Sequence, residues 1–218
     1  MSINSAISAA MSGLAAQTRA IDVISANVAN ALTDGYAPRQ LMLSATVLGG
    51  VGSGVRIAGV ARQTDPVLVG LMRHSGGAAS GHGAQSVFWS RIEQAIGLPG
   101  DPHSLTGKVA VFENALISAA ARPDLDHRLA AVTDAANDLV GHLNQLEAQV
   151  QGLRQNADVA IAQDVETLNA GLERIAKLNR DIIKLQAGGH QPLGLMDERQ
   201  TLIDSLSRIV PIREFQHP

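Results

Sequence analysis

The sequence predicts a mainly α fold of long, coiled-coil-like helices, an N-terminal helix suited to assembly, and one small β-hairpin. Three observations lead there. Apolar residues recur with 3-4 spacing over two long stretches, 3–31 and 129–185, and that spacing keeps one stripe of a helix apolar. Hydrophobic residues fill 45% of the 218 positions but aromatics only 2%. The core must therefore come from Ala, Leu, Ile and Val, a composition suited to helices packed along long seams. Between these stretches the period changes to two around the Gly-rich run "GGVGSG", the signature of a hairpin.

The first helix rests on the seam Ile3, Ile7, Ala10, Leu14, Gln17, Ile21, Ile24, Val28 and Ala31, in which only Gln17 is polar. Ser5, Ala6, Ser8, Ala9, Ser12, Gly13, Ala15 and Ala16 flank it, and small residues let neighbours approach closely. Arg19 and Asp22 are the only charges before residue 32. A surface helix has a charged outer face, so the pattern predicts burial all round inside an assembly; a buried core helix of a monomer is the alternative. The helix should stop near Leu32, because Gly35 can take the left-handed conformation and Pro38 bars Ala37 from the helical region.

The hairpin follows, with a first strand over 39–48 and a second marked by Val55, Ile57 and Gly59. Asp65 is a candidate N-cap and Pro66 a first helical residue for a second helix with apolar positions Leu68, Leu71, Met72, Ala79, Phe88, Ile92 and Ile96. Gly76, Gly77, Gly81 and Gly83 interrupt it. Each costs about 1 kcal/mol against Ala in a helix interior, so the helix either bends there or is held by packing. A loop at 97–103 leads to a third helix over 105–121, with Ser104 as its cap.

After Pro123 comes the longest pattern, Leu129, Val132, Ala136, Leu139, Leu143, Leu146, Val150, Leu153 and Ala157, which slips one step and resumes at Ile161. Such a stutter changes the supercoil locally. No proline occurs from Asp124 to Gln191, so one helix of about 60 residues, about 90 Å long, is expected. A turn at 187–194 leads to a short helix over about 195–207. Asp197 and Glu198 are read as acids of its first turn, and "VPIREF" as the start of a strand.

Several function classes are excluded. No cysteine is present, hence no disulfide framework and no thiolate chemistry; a Cys-free chain is also compatible with export through a narrow channel. A net charge of −3 without a basic run argues against nucleic acid. No segment has the roughly 18 uninterrupted apolar residues of a membrane span, and no cleaved signal peptide is visible. The seven histidines, His74, His82, His103, His127, His142, His190 and His217, form no metal-ligating pair. In "SLTGKV" the phosphate-loop pattern fails, with Pro102 where the first glycine belongs and Val109 where a hydroxyl is needed. No cofactor, metal or catalytic residue is expected, and the chain is not read as an enzyme.

The stretch "SGLAAQTRAIDVISANVANALTDGY" resembles the N-terminal signature of the flagellar axial proteins of the rod, hook and hook-associated family. The pattern falls on Ser12, Gly13, Leu14, Ser25, Asn27, Ala29, Asn30, Thr33, Gly35 and Tyr36. "GVRIAGVARQTDPVLVGLMR", "FENALISAAARPD", "IAKLNRDI" and "LMDERQTLIDSLSRIV" are similar in order and spacing to the hook-associated branch, whose long helical middle the rod and hook proteins lack.

The resemblance implies a structural protein that leaves the cell through the flagellar type III export apparatus without a cleaved signal. It would self-associate into a tubular ring at the distal end of the hook, between hook protein and the next hook-associated protein, and form the hook–filament junction. The assembly interface would be Ile3, Ile7, Ala10, Leu14, Ile21, Ile24 and Val28, and the motif and helix stop Ser12, Gly13, Leu14, Asn27, Asn30, Thr33, Gly35 and Tyr36. Domains are expected at 1–36 (axial assembly helix), 37–65 (hairpin and linker) and 66–218 (elongated helical bundle, incomplete at its C-terminus). Ala37-Pro38 replaces the single Ser that the family usually places before Arg39-Gln40. A rod or hook protein, or an intracellular coiled-coil adaptor, is the alternative.

Overall fold

A computed structural model describes residues 3–48 and 51–214. Seven elements follow in order: α1 (Ile3–Ala29), β1 (Arg39–Leu48), β2 (Val51–Arg62), α2 (Pro66–Ile96), α3 (Leu105–Ala121), α4 (Asp126–Ala187) and α5 (Leu193–Leu206). The fold is mainly α, as the periodicity predicts. The chain forms two compact units, one of Met1–Ala78 with Thr167–Pro218, the other of Ala79–Glu166.

In the first unit the antiparallel pair β1-β2 packs on α1. Its register opposes Arg39 to Arg62 and Met42 to Gly59, with irregularities after Met42 and after Ala45. The connection at residues 49 and 50 lies outside the described residues. Leu178 and Ile182 of α4 and Ile203 and Leu206 of α5 are buried. Arg199 Nη1 donates to Asn179 Oδ1 at 3.2 Å, and the Leu206 side chain lies against Gly171, where a Cβ would meet Leu206 Cδ1 at 2.8 Å.

Local signals set the helix starts. Asp65 Oδ1 accepts from Val67 N at 2.9 Å and Leu68 N at 3.1 Å, satisfying two N–H groups that have no partner inside α2. Ser104 caps α3: its Oγ accepts from Gly107 N at 3.1 Å and donates to Asp101 O at 2.7 Å, and the residue is 2% exposed. Replacing it with Ala leaves both groups without this partner. Ser104→Ala should cost about 1–2 kcal/mol, read as a lower thermal midpoint with unchanged helical content at low temperature.

The second unit joins α3 to α4 through Lys108 Nζ and Asp138 Oδ2 at 2.6 Å, and through Arg128 Nη1 donating to Ser118 O at 2.8 Å. The hydrogen bond from the Lys108 ammonium, and then its charge, hold the Asp138 carboxyl below the usual carboxylate range. A depressed folded-state pKa contributes stability above the ordinary value, about 4, and that contribution fades as pH falls through the lower folded value.

Of the two outcomes expected at the glycines of α2, the second holds at Gly77: the helix runs unbroken, and a Cβ there would stand 2.7 Å from the Ser207 carbonyl oxygen. Three readings change. The start of α2 does not bury its apolar positions: Leu68, Leu71 and Met72 are 55–66% exposed. The buried residue there is Arg73, which donates from Nε to Asp204 Oδ1 at 2.6 Å and from Nη1 to Glu214 Oε2 at 2.7 Å. Asp197 and Glu198 are not in a first turn, because α5 starts at Leu193. Residues 211–214 form no strand: Pro211 has no N–H to donate to a ladder, and Glu214 is held by Arg73. Phe215 lies outside the described residues.

Candidate functional site

The N-terminal helix has two unlike faces. Ala16 and Val23 are buried, and Ser5, Ala9, Ser12, Gly13, Ala20, Ala26 and Asn27 are half-buried. Their 3-4 spacing makes a stripe of mostly small residues, and the hairpin packs on α1. Ser12 Oγ donates to Ala9 O at 2.8 Å and accepts from Val55 N at 3.2 Å, so it pins β2 to the helix.

The apolar seam faces the other way. Ile3, Ile7, Leu14, Ile21, Ile24 and Val28 are 53–79% exposed, Met11 and Leu32 extend the patch, and Ala10 is also exposed. Within the single chain this contiguous apolar stripe is left facing water. Covering it fully would contribute about 1.5–3 kcal/mol per large side chain. Burial all round is thus not reached within one chain; half the helix is used internally and half is left open. Gly13 is half-buried with no atom near a would-be Cβ, so packing within the chain does not require glycine there.

The rest of the motif builds a joint below α1. Asn27 makes three bonds at once: Nδ2 donates to Arg39 O at 2.8 Å, while Oδ1 accepts from the Tyr36 hydroxyl at 2.8 Å and from Arg39 N at 2.8 Å. One amide therefore fixes the start of β1 to the last turn of the helix. Asn30 Nδ2 donates to Ala26 O at 2.8 Å, a carbonyl that also accepts from Asn30 N at 3.1 Å. Thr33 N and Tyr36 N close successive turns onto Asn30 O and Thr33 O, and the Tyr36 ring stacks under the Arg39 guanidinium at 5.0 Å.

Gly35 sits at φ +77, where an L side chain is strained by about 1–2 kcal/mol, and a Cβ would collide with Thr201 Oγ1 of α5. Gly35→Ala should lower stability by at least this strain. Adding Thr201→Ala should recover only the collision part, which two-state denaturation of the single and double variants would separate.

Asp197 of α5 closes the joint from the far side. Its Oδ1 accepts from Arg62 Nε at 2.8 Å and Ala37 N at 3.4 Å, and its Oδ2 from Arg39 Nη2 at 3.4 Å. Arg62 Nη2 also donates to Gln200 Oε1 at 2.8 Å, and Val60 N to Gln191 Oε1 at 2.9 Å. The need for an acid follows from the register. Arg39 and Arg62 stand directly opposite each other, and like charges opposed on a sheet are destabilising unless an acid bridges them. Ala37 is 5% exposed, and Pro38 O accepts from Gln63 N at 2.8 Å, which extends the ladder one step below β1.

Of the sequence-predicted residues, Asn27, Asn30, Thr33, Gly35 and Tyr36 hold the joint together, Ser12 pins β2 to the helix higher up, and Leu14 belongs to the exposed stripe. Asp197, Arg62, Gln191 and Gln200 were missed as joint residues. Among the described residues no three His, Cys, Asp or Glu side chains converge as a metal site, and no helix is long and apolar enough to cross a membrane.

The family described as "Flagellar hook-associated protein FlgK helical domain" matches residues 89–217. The family "Flagella basal body rod protein" matches residues 7–36, that is α1 and the joint up to Tyr36. Flagellar hook-associated protein 1 of Salmonella typhimurium is 27% identical over 217 residues, covering 96% of this chain and 39% of the relative. The protein of the same name from Bacillus subtilis is 26% identical over 212 residues, covering 92% of the chain and 42% of the relative; that from Escherichia coli K12 is 26% identical over 217 residues, with 96% and 39% covered. The chain thus spans about two fifths of the length of these relatives. No solved structure matches it significantly.

Proposed function

The chain belongs to the flagellar hook-associated protein family, a family of structural proteins rather than enzymes, and from that premise we propose that it polymerises at the distal end of the hook and forms the hook–filament junction. The observation that carries this reading is the open stripe of α1: six large aliphatic residues on one side of a helix whose other side is already packed. The stripe becomes buried when neighbouring subunits assemble into a tubular ring. The joint of Asn27, Tyr36, Arg39 and Asp197 then holds the hairpin and α5 at a fixed orientation to the tube-lining helix. Partners on this reading are further copies of the chain, hook protein on one side and the next hook-associated protein on the other, reached after export through the flagellar apparatus.

Within the flagellar family the match to the helical domain over 89–217 favours a hook-associated protein over a rod or hook protein, because the rod family matches only residues 7–36. Immunogold labelling of sheared flagella tests the placement. Label at the boundary of hook and filament is the expected result. Protein confined to the cytosol, or label spread along the rod, contradicts it.

A further inference from the structure

We propose that the middle of α2, residues 78–87, is a hinge: a helical segment that opens and recloses locally while both ends of the helix stay anchored. The two halves of α2 can then change direction independently. The inference does not depend on where in the flagellum the chain assembles.

The first observation is exposure. All residues from Ala78 to Val87 are exposed, on every side of the helix. A helix in a folded protein owes most of its stability to a packed face, and this stretch of nearly three turns has none. Among the described residues, none of its side chains makes a hydrogen bond or ion pair. No Asp, Glu, Lys or Arg stands between Arg73 and Arg91, so charge pairs one turn apart do not support it either. The boundary between the two compact units falls after Ala78.

The second observation is where the glycines sit. Gly81 and Gly83 lie inside the exposed stretch, and nothing stands within 4 Å of a Cβ built at either. Packing explains Gly77 but not these two, which weaken the helix without serving a close approach. Firm anchors lie on both sides. Toward the N-terminus, buried Arg73 is bonded to Asp204 and Glu214, and Gly77 lies against Ser207. Toward the C-terminus, Phe88, Ile92 and Ala95 form a half-buried stripe with helical spacing. α4 has a comparable stretch at 154–167, also exposed throughout, but no glycine falls in it. Opening is local where buried contacts are few and backbone bonds face water, and in α2 those conditions coincide with glycine. For a structural protein the outcome is a compliant element inside an otherwise stiff helix.

The test is hydrogen exchange read by mass spectrometry on the full chain. Amides of 78–87 should exchange at least about tenfold faster than those of 73–77 and 88–96, as expected of a local opening. Their rate should stay flat at low guanidinium concentrations that speed exchange through global unfolding, because a local opening exposes little new surface. Gly81→Ala combined with Gly83→Ala should slow exchange in the segment about twentyfold, the helix-propensity difference of two glycines, since the added methyl groups touch nothing. Gly141→Ala, at an exposed glycine of α4 with equally open surroundings, should leave the segment unchanged. Protection of 78–87 equal to that of its flanks, or exchange unaltered by the two alanines, overturns the proposal. So does loss of protection along the whole of α2 at once, which would mean that the anchors do not hold.

Discussion

Replacing Ile21 or Ile24 with Asp should abolish incorporation into the tube while leaving the fold intact. Both residues are about 60% exposed in the single chain, so a carboxylate there stays in water and costs the monomer little; surface substitutions of this kind usually fall within about 0.5 kcal/mol. In the assembly the same carboxylate would have to be buried on an apolar seam without a partner, which costs several kcal/mol. The effect on polymerisation is therefore close to all-or-none, while the thermal midpoint of the free protein hardly moves. Normal junctions with either variant, scored by motility and by pelleting of assembled material, would contradict the assigned face. A large drop in monomer stability would show instead that the stripe packs within the chain.

Asp197→Ala should cause a large loss of stability for a single polar substitution, about 3 kcal/mol. Its side chain is 13% exposed and Arg62's is 10%. Removing the acid leaves two guanidinium groups facing each other across the hairpin, and breaking a buried pair by deleting one partner is strongly destabilising. The neighbouring pair Arg174–Glu198 is a built-in control: its side chains are 52% and 40% exposed, and Glu198→Ala should cost less than about 1 kcal/mol. Denaturant midpoints of the two variants decide the matter. Equal, small losses would mean that Asp197 does not hold the joint.

What the sequence made legible, and what it hid, follows from how local each feature is. Asp65 and Ser104 could be read as caps because an N-cap acts within three residues of its own chain. The first strand was bounded by Pro38 and a glycine run. The long helix followed from periodicity and the lack of proline. The two faces of α1 were not separable by pattern alone: a seam of Ile and Leu and a stripe of Ala, Ser and Gly both keep 3-4 spacing, and the larger residues drew the inference of burial. The hairpin takes the small-residue side, where Ser12 Oγ bonds Val55 N.

Asp197 and Arg73 were hidden for a different reason. Their partners lie more than 130 residues away in the chain, and no period links them. A signal for Asp197 did exist: pairing the predicted strands puts Arg39 opposite Arg62, a clash that asks for an acid from elsewhere. Arg73 had no such signal, since its neighbours Leu71 and Met72 point to an apolar face.

The absence of cysteine makes one measurement direct. Ile24→Cys places a single thiol on the exposed stripe, and its alkylation rate can be followed in the free protein and in sheared, intact flagella. Rapid labelling of the free chain and strong protection in the assembled state is the expected result. Equal labelling in both would mean that α1 stays open to water in the flagellum and that its apolar stripe is not the assembly face.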